Sequence, residues 1–426
     1  MRSTTYTKLL LSAIAILLST ALSAASAKRL TLANLDDVRR QVWSQWQNAV
    51  NAQAHLPAVG NFSTNIVLWQ IPDALEPDAE WAFCYGAVGP VTPGEAPLMI
   101  YLHGSGPADR EWHNGVKFAE SWGKIAPSVY AVPRIPNEGE WYRWWQQSKQ
   151  WAYENMLCNV LAGGEIHPDS IYMLGISEGG YGAQRLASFY ADYLAAAGPM
   201  AGGEPLRNAP AENLRNLPLS LLTGDRDNGF YRNRLTARTA RALDSLAAGS
   251  PGEFPHRVEL LEGYGHGIPY DLTPTWLKQF SRNSHPHHVT WEDYAMDGRH
   301  RSGFYNLLVE NRPDLPDTVR VVYDLTIAGQ FVELTVQKVT YTTTVTDPVW
   351  GIALDFDKTF SPVEGGKVTI FFDEQLIDLK RPVVVRLNGV TMFSGILPLS
   401  RENLERSCRA YFDPRRLYPA SVTLTY

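Results

Sequence analysis

The sequence predicts an α/β protein built on a mainly parallel sheet, followed by a second, all-β, sandwich-like region. Three observations carry this. Short apolar runs such as Pro97–Leu102, Ile171–Ile176 and Leu219–Leu222 alternate with longer helix-forming stretches, the pattern of strands covered by helices on both faces. After about Asn283 the periodicity changes to two, with Val332, Leu334 and Val336 on one face and Ile352, Leu354 and Phe356 repeating it. Asn388-Gly389, set between Val383–Leu387 and Val390–Phe393, is a two-residue hairpin signal. At 426 residues, 45% hydrophobic and 19% charged, the chain is long enough for two cores. The expected division is a signal peptide over 1–27, an α/β domain over 28–284 and the β region over 285–426.

In order, the amino terminus opens with Arg2 and Lys8, continues through apolar Leu9–Leu22 and ends in Ala25-Ser26-Ala27, an export signal with a cleavage site. The expected location is periplasmic or extracellular. The apolar run is short for a membrane span, and no integral membrane segment is expected after cleavage. Val38, Val42, Trp46 and Val50 form one apolar stripe of a helix, with Asn34 as its N-cap. Trp81–Tyr85, Pro97–Leu102 and Ser128–Val132 read as strands, Gln146–Leu161 as a helix, and Ile171–Ile176 as a strand running into a helix that begins at Gly180. Leu219–Leu222 and Val258–Leu261 complete the series, and a short helix is expected near Ser400–Arg409.

The chemistry concentrates in Gly175-Ile-Ser177-Glu-Gly179, a glycine-framed turn between strand and helix. A serine lifted out of such a turn needs a strained backbone, and side chains two residues to either side would collide with it. A neutral serine hydroxyl is a poor nucleophile, so a histidine must take its proton and a carboxylate must orient that histidine. Two later strand-end loops offer these groups. Thr223-Gly-Asp225-Arg-Asp227-Asn-Gly229 carries two aspartates, and Gly263-Tyr-Gly265-His266-Gly267 carries one of the ten histidines. Leu102-His103-Gly104-Ser105-Gly106 follows an earlier strand and offers backbone N–H groups to a developing oxyanion, as does Glu178.

These four segments, covering about Glu80 to Arg282, resemble the α/β-hydrolase superfamily, and more narrowly the secreted bacterial esterases of the dienelactone hydrolase, feruloyl esterase and polyhydroxyalkanoate depolymerase type. The resemblance implies a catalytic domain over 28–284 and hydrolysis of carboxylic esters through an acyl-enzyme on Ser177, without metal or organic cofactor. It implies Ser177, Asp227 and His266 as the triad, with Asp227 preferred to Asp225 by the family's spacing. It further implies Glu178 and Ser105 (or Gly104) as oxyanion donors, with His103 shaping the loop. A serine peptidase of the prolyl-oligopeptidase type shares this machinery. A non-catalytic carbohydrate-binding protein on the same fold is the reading from another class.

Two loops on the same sheet edge are unusually aromatic. Trp112, Trp141 and Trp144 are candidates to line a cleft for a small-molecule or carbohydrate-linked ester, and Arg110, Arg134 or Arg143 to hold a carboxylate or phosphate. Loss of residues 1–27 would remove Arg2 and Lys8 and no acid, taking the formal charge from −6 to −8, so no nucleic-acid surface is indicated. Cys84 and Cys158 could pair in an oxidising compartment, or all three cysteines could serve as small buried hydrophobes. His285-Pro-His287-His288 lacks further zinc ligands and reads as linker. Structural buttressing is the expected role of the β region.

Overall fold

The computed structural model describes residues 29–53, 56–62 and 65–426; the expected export signal lies outside them. The first element of the described residues is helix α1 (Leu35–Asn51), which buries Leu35, Val42, Trp46 and Val50. Asn34 does not cap it through its side chain: its Oδ1 accepts from Thr31 N and Oγ1, closing the turn that leads in.

Eight strands form the first sheet: β1 (Ile66–Gln70), β2 (Glu80–Val88), β3 (Ala96–Leu102), β4 (Ser128–Pro133), β5 (Ile166–Ile176), β6 (Ala196–Met200), β7 (Leu219–Gly224) and β8 (His256–Leu261). Their order is β1-β2-β4-β3-β5-β6-β7-β8. β1 and β2 are antiparallel to their neighbours, whereas β4, β3, β5, β6, β7 and β8 run parallel. Helices α2 (Ala108–Trp122), α3 (Gln147–Gly163), α4 (Glu178–Phe189) and α5 (Arg232–Gly249) are crossovers between parallel strands, and the short helix α6 (Leu272–Leu277) follows β8. β3, β4, β6 and β7 are buried almost throughout, which explains their apolar sequences. β1 and β6 escape sequence reading: β1 alternates at an exposed edge, and Ala196-Ala-Gly-Pro-Met200 is held extended by its neighbours despite glycine and proline.

The remaining strands are β9 (His288–Asp293), β10 (Gly303–Phe304), β11 (Leu307–Asn311), β12 (Val319–Ala328), β13 (Phe331–Thr346), β14 (Ala353–Pro362), β15 (Lys367–Phe372), β16 (Val383–Leu387), β17 (Val390–Gly395) and β18 (Ala420–Thr425). One sheet runs β17-β16-β13-β12-β9 with β14 also paired to β13, and the other runs β10-β11-β15-β18. All pairs are antiparallel except β13 with β16. Trp291 of β9 stacks on Phe304 of β10 at 5.5 Å, so the two sheets meet through aromatic side chains. Asn388 and Gly389 take φ of 48° and 81°, which a two-residue hairpin of primed type requires. Helix α7 (Arg401–Tyr411) is capped by Ser400, whose Oγ accepts from Glu402 N.

One buried apolar cluster spans both regions, and a second lies within the α/β region around Tyr101, Trp122 and Tyr130. Buried apolar side chains run without a break from Trp81 and Leu98 through Tyr193 to Tyr305, Phe371 and Leu424. Asp192, fully buried, accepts from Arg301 and Arg416; Asp413, also fully buried, accepts from Arg282 and Arg416. His288, expected in a linker, begins β9 and pairs with Glu253 at 3.0 Å. Cys84, Cys158 and Cys408 are free and buried, so Cys84 and Cys158 do not pair. No group of metal-ligating side chains and no helix long and apolar enough to cross a membrane is found among the described residues.

Candidate active site

Ser177 stands between β5 and α4 with φ 57° and ψ −114°, a conformation costly for any residue with a Cβ. The turn around it is equally tight. A Cβ on Gly179 would lie 2.0 Å from the Leu102 carbonyl oxygen, and one on Gly175 would lie 2.1 Å from that of Gly179. Both positions therefore admit only glycine, and the serine is pressed up at the carboxyl ends of the parallel strands.

The loop after β8 reaches it by crossing the loop after β7. A Cβ on Gly224 would meet the Gly265 oxygen at 2.1 Å, so glycine there permits the crossing. Arg226 N donates to Tyr264 O at 2.9 Å, and Gly263 N donates to Asp225 Oδ1 at 2.9 Å. Asp225 is thus the brace of the histidine loop. Asp227 faces the other way, and its Oδ2 lies 2.7 Å from His266 Nδ1, while His266 Nε2 lies 2.9 Å from Ser177 Oγ. Because Nδ1–H donates to the Asp227 carboxylate, Nε2 is left without a proton and is the acceptor for the serine hydroxyl.

Arg232, the first residue of α5, grips Asp227 from behind through Nε at 2.8 Å and Nη2 at 2.5 Å, and its Nη1 donates to Tyr181 OH at 3.2 Å. Burial alone would raise the Asp227 carboxyl, but hydrogen bonds from Arg232 and then His266 outweigh it and hold the carboxyl below its ordinary value. Sequence reading missed Arg232. A cation in the first turn of a helix opposes the helix dipole, and that mismatch is the signal that could have flagged it.

The loop 103–106 is fastened by its carbonyls. His103 O accepts from Trp144 Nε1 at 3.0 Å, and Gly104 O accepts from Tyr142 OH and from His103 Nδ1, both at 2.8 Å. His103 Nε2 accepts from Ile135 N at 3.1 Å, which fixes the tautomer, and burial lowers the imidazole to about 4. A planar trans peptide then turns the Ser105 N–H away from Tyr142. Gly104 lies against the serine, since a Cβ there would be 3.4 Å from Ser177 Cβ. Glu178 heads α4, so its N–H has no partner one turn earlier in the helix.

The three predicted tryptophans do not gather at one cleft. Trp144 is fully buried, edge-on to Trp81 and His103, and supports the 103–106 loop from below; it has no face free for substrate. The expectation that it binds substrate is corrected on that ground. Trp112 is half-buried and donates to Val132 O at 2.8 Å. Trp141 lines a separate 390 Å³ cavity with Asp297. Arg134 is tied to Asp109 and to two backbone carbonyls. A larger cavity, about 540 Å³, reaches Glu178, the residue after the serine, and is lined also by Arg143, Trp145, Tyr181, Phe230 and Trp350 among others. Trp350 comes from the β13–β14 tip, over a hundred residues from the rest, and Phe230 meets it at 5.1 Å. The β region therefore supplies a wall of this cavity, beyond the expected buttressing.

No protein-family model and no curated protein matches the sequence. Solved structures similar to it include a thermostable esterase at 19% identity and TM-score 0.38, covering 51% of this chain and 63% of that one. A ferulic acid esterase is similar at 16% and 0.36, over 51% and 95%. An acetyl xylan esterase from Aspergillus awamori is similar at 11% and 0.36, over 48% and 95%. Likenesses this low leave the chemistry to rest on the chain's own residues.

Proposed function

We propose that this protein is a serine hydrolase of the α/β-hydrolase type that cleaves carboxylic esters through an acyl-enzyme on Ser177. The observation that carries the reading is the unbroken hydrogen-bonded series from Ser177 Oγ through His266 to Asp227, mounted on a strained turn. Ser177 Oγ attacks the ester carbonyl as His266 Nε2 takes its proton. The imidazolium, held by Asp227, returns that proton to the departing alcohol. Water then repeats the sequence on the acyl-enzyme. The N–H groups of Glu178 and Ser105 receive the oxyanion, each contributing about 3 kcal/mol to the transition state. No metal or organic cofactor enters these steps.

Two further readings belong to the proposal. Residues 28–284 form the catalytic domain and residues 285–426 a sandwich-like β-domain that completes the cavity. Residues 1–27 are an export signal, which places the protein in the periplasm or outside the cell.

A fluorophosphonate probe tests the mechanism: labelling is expected at Ser177, and an unlabelled, folded protein would overturn it. A panel of p-nitrophenyl acyl esters, acetylated sugars, feruloyl esters and aminoacyl amides tests the bond cleaved. Ester turnover is expected, and predominant amide turnover would favour the peptidase.

A further inference from the structure

Resting on the serine-hydrolase reading above, we propose that the 540 Å³ cavity is a subsite for an ester whose acyl or alcohol part carries a carboxylate on a flat scaffold. Arg207 and Arg143 are its anion partners, and Trp145, Phe230 and Trp350 its walls.

Position comes first. Glu178, which follows Ser177 in the chain, lines the cavity, so the cavity reaches the residue next to the nucleophile and can take a part of the ester remote from the carbonyl under attack. Charge comes next. Arg185 and Glu204 neutralise each other at 2.9 Å, and the Arg185 guanidinium lies 3.8 Å over the Trp145 ring. Asn208 also donates to Glu204, at 2.9 Å. With that pair cancelled, Arg143 and Arg207 stand against Glu178 alone.

Neither arginine has a carboxylate in its fork. Arg207 is half-buried; its carbonyl accepts from Arg320, and its guanidinium makes no ion pair among the described residues. Arg143 is 49% exposed; its Nη1 donates to the Tyr142 carbonyl at 2.6 Å, its Nε and Nη2 make no hydrogen bond among the described residues, and its nearest carboxylate oxygen, Glu178 Oε1, is 3.5 Å away. That distance is too long for a strong charged hydrogen bond. Guanidinium groups left open in this way match a carboxylate bidentately, which an ammonium does not.

Glu178 does not cancel them. Its Oε1 is buried without a hydrogen-bond partner. Burial, opposed by Arg143, pushes the carboxyl up to about 7. A substantial share is therefore protonated at neutral pH and can donate to an incoming carboxylate.

The walls suit a planar scaffold. Phe230 and Tyr231 are held in the left-handed region at φ 48° and 60°, uncommon for aromatic residues. This strained pair sets the Phe230 ring against Trp350, which stays 62% exposed and open to contact. Backbone strain of this kind gathers at ligand clamps.

Two matched substrate pairs test the proposal, one for each side of the ester. They are mono-p-nitrophenyl terephthalate against its methyl ester, and para-acetoxybenzoate against its methyl ester, each corrected for its alkaline hydrolysis rate. At least one pair is expected to favour the anion about tenfold or more in kcat/KM, mainly through KM, the scale of one charge-assisted contact. Arg207→Gln should remove most of that preference, read as a ratio within each variant so that general losses cancel. Trp350→Ala, at an exposed tip, should raise KM severalfold for the pair that shows the preference. Absence of any preference in both pairs, or its survival intact in Arg207→Gln, overturns the subsite. Fluorophosphonate labelling keeps the two readings apart: a labelled protein without anion preference loses only the subsite, whereas an unlabelled one loses the hydrolase reading.

Discussion

Replacing Arg232 by methionine tests the arrangement behind the histidine. Arg232 and Asp227 are 9% and 3% exposed, and the guanidinium holds both carboxylate oxygens. Methionine fills much of the same volume but leaves a buried carboxylate with His266 as its remaining side-chain partner. Breaking a buried pair from one side costs about 3–5 kcal/mol, because the charge left behind loses its compensation. The cost should therefore vanish largely when the charge is removed as well. In urea unfolding at pH 7, Arg232→Met should lose about 3 kcal/mol, and the Arg232→Met, Asp227→Asn double variant should recover about 2 kcal/mol relative to additivity. Arg232→Lys, which retains the charge but not the fork, should fall between. In assays on a neutral ester, Arg232→Met should lower kcat roughly ten- to a hundredfold, since the carboxylate is freed to turn away from Nδ1. Additive stability effects, or a kcat unchanged in a folded Arg232→Met protein, would refute the reasoning.

Ser177→Gly should abolish ester turnover and probe labelling while stabilising the fold by about 1–2 kcal/mol, because φ 57°, ψ −114° costs glycine little; a lower unfolding midpoint would contradict this. Tyr142→Phe removes a donor to Gly104 O and should reduce kcat roughly tenfold with KM little changed; unaltered kcat would show that the Ser105 peptide needs no such anchor. Burial would raise the Asp413 carboxyl, but Arg282 and Arg416 outweigh it and hold the carboxyl far below its ordinary value. A depressed carboxyl contributes stability that is present above the unfolded value of about 3.9 and is lost as pH falls towards the folded one. Asp413→Asn should therefore be less stable at pH 7 and lose less between pH 4 and pH 2 than the wild type; parallel pH curves would refute it.

How far the site could be read from sequence differs from residue to residue. Gly175, Ser177 and Gly179 were legible because a local steric demand dictates residue type at fixed spacing. The loop carrying Asp225 and Asp227, and His266, were legible through the order in which parallel strands deliver their terminal loops to one edge, and the structure sets Asp227 on His266 and His266 on Ser177. The tryptophans were legible only as residues. Nothing local distinguishes Trp144, which is sealed beneath His103, from Trp145 one position later, which lines the cavity. Likewise β6 was hidden by its own composition, since its partners hold it extended where propensity would not.

By itself the sequence determined what depends on neighbours along the chain: the strand and helix periods, the glycine-framed turn, the Asn388-Gly389 hairpin and the chemical types available at each loop. Tertiary structure alone decided which of Asp225 and Asp227 meets the histidine, that Arg232 secures Asp227, and that a hairpin tip carrying Trp350 walls the cavity that reaches Glu178. The physical reason is that contact between distant segments follows from burying a continuous apolar cluster and cancelling buried charge. Those totals are set by the whole fold and leave no periodic trace in the residues that satisfy them.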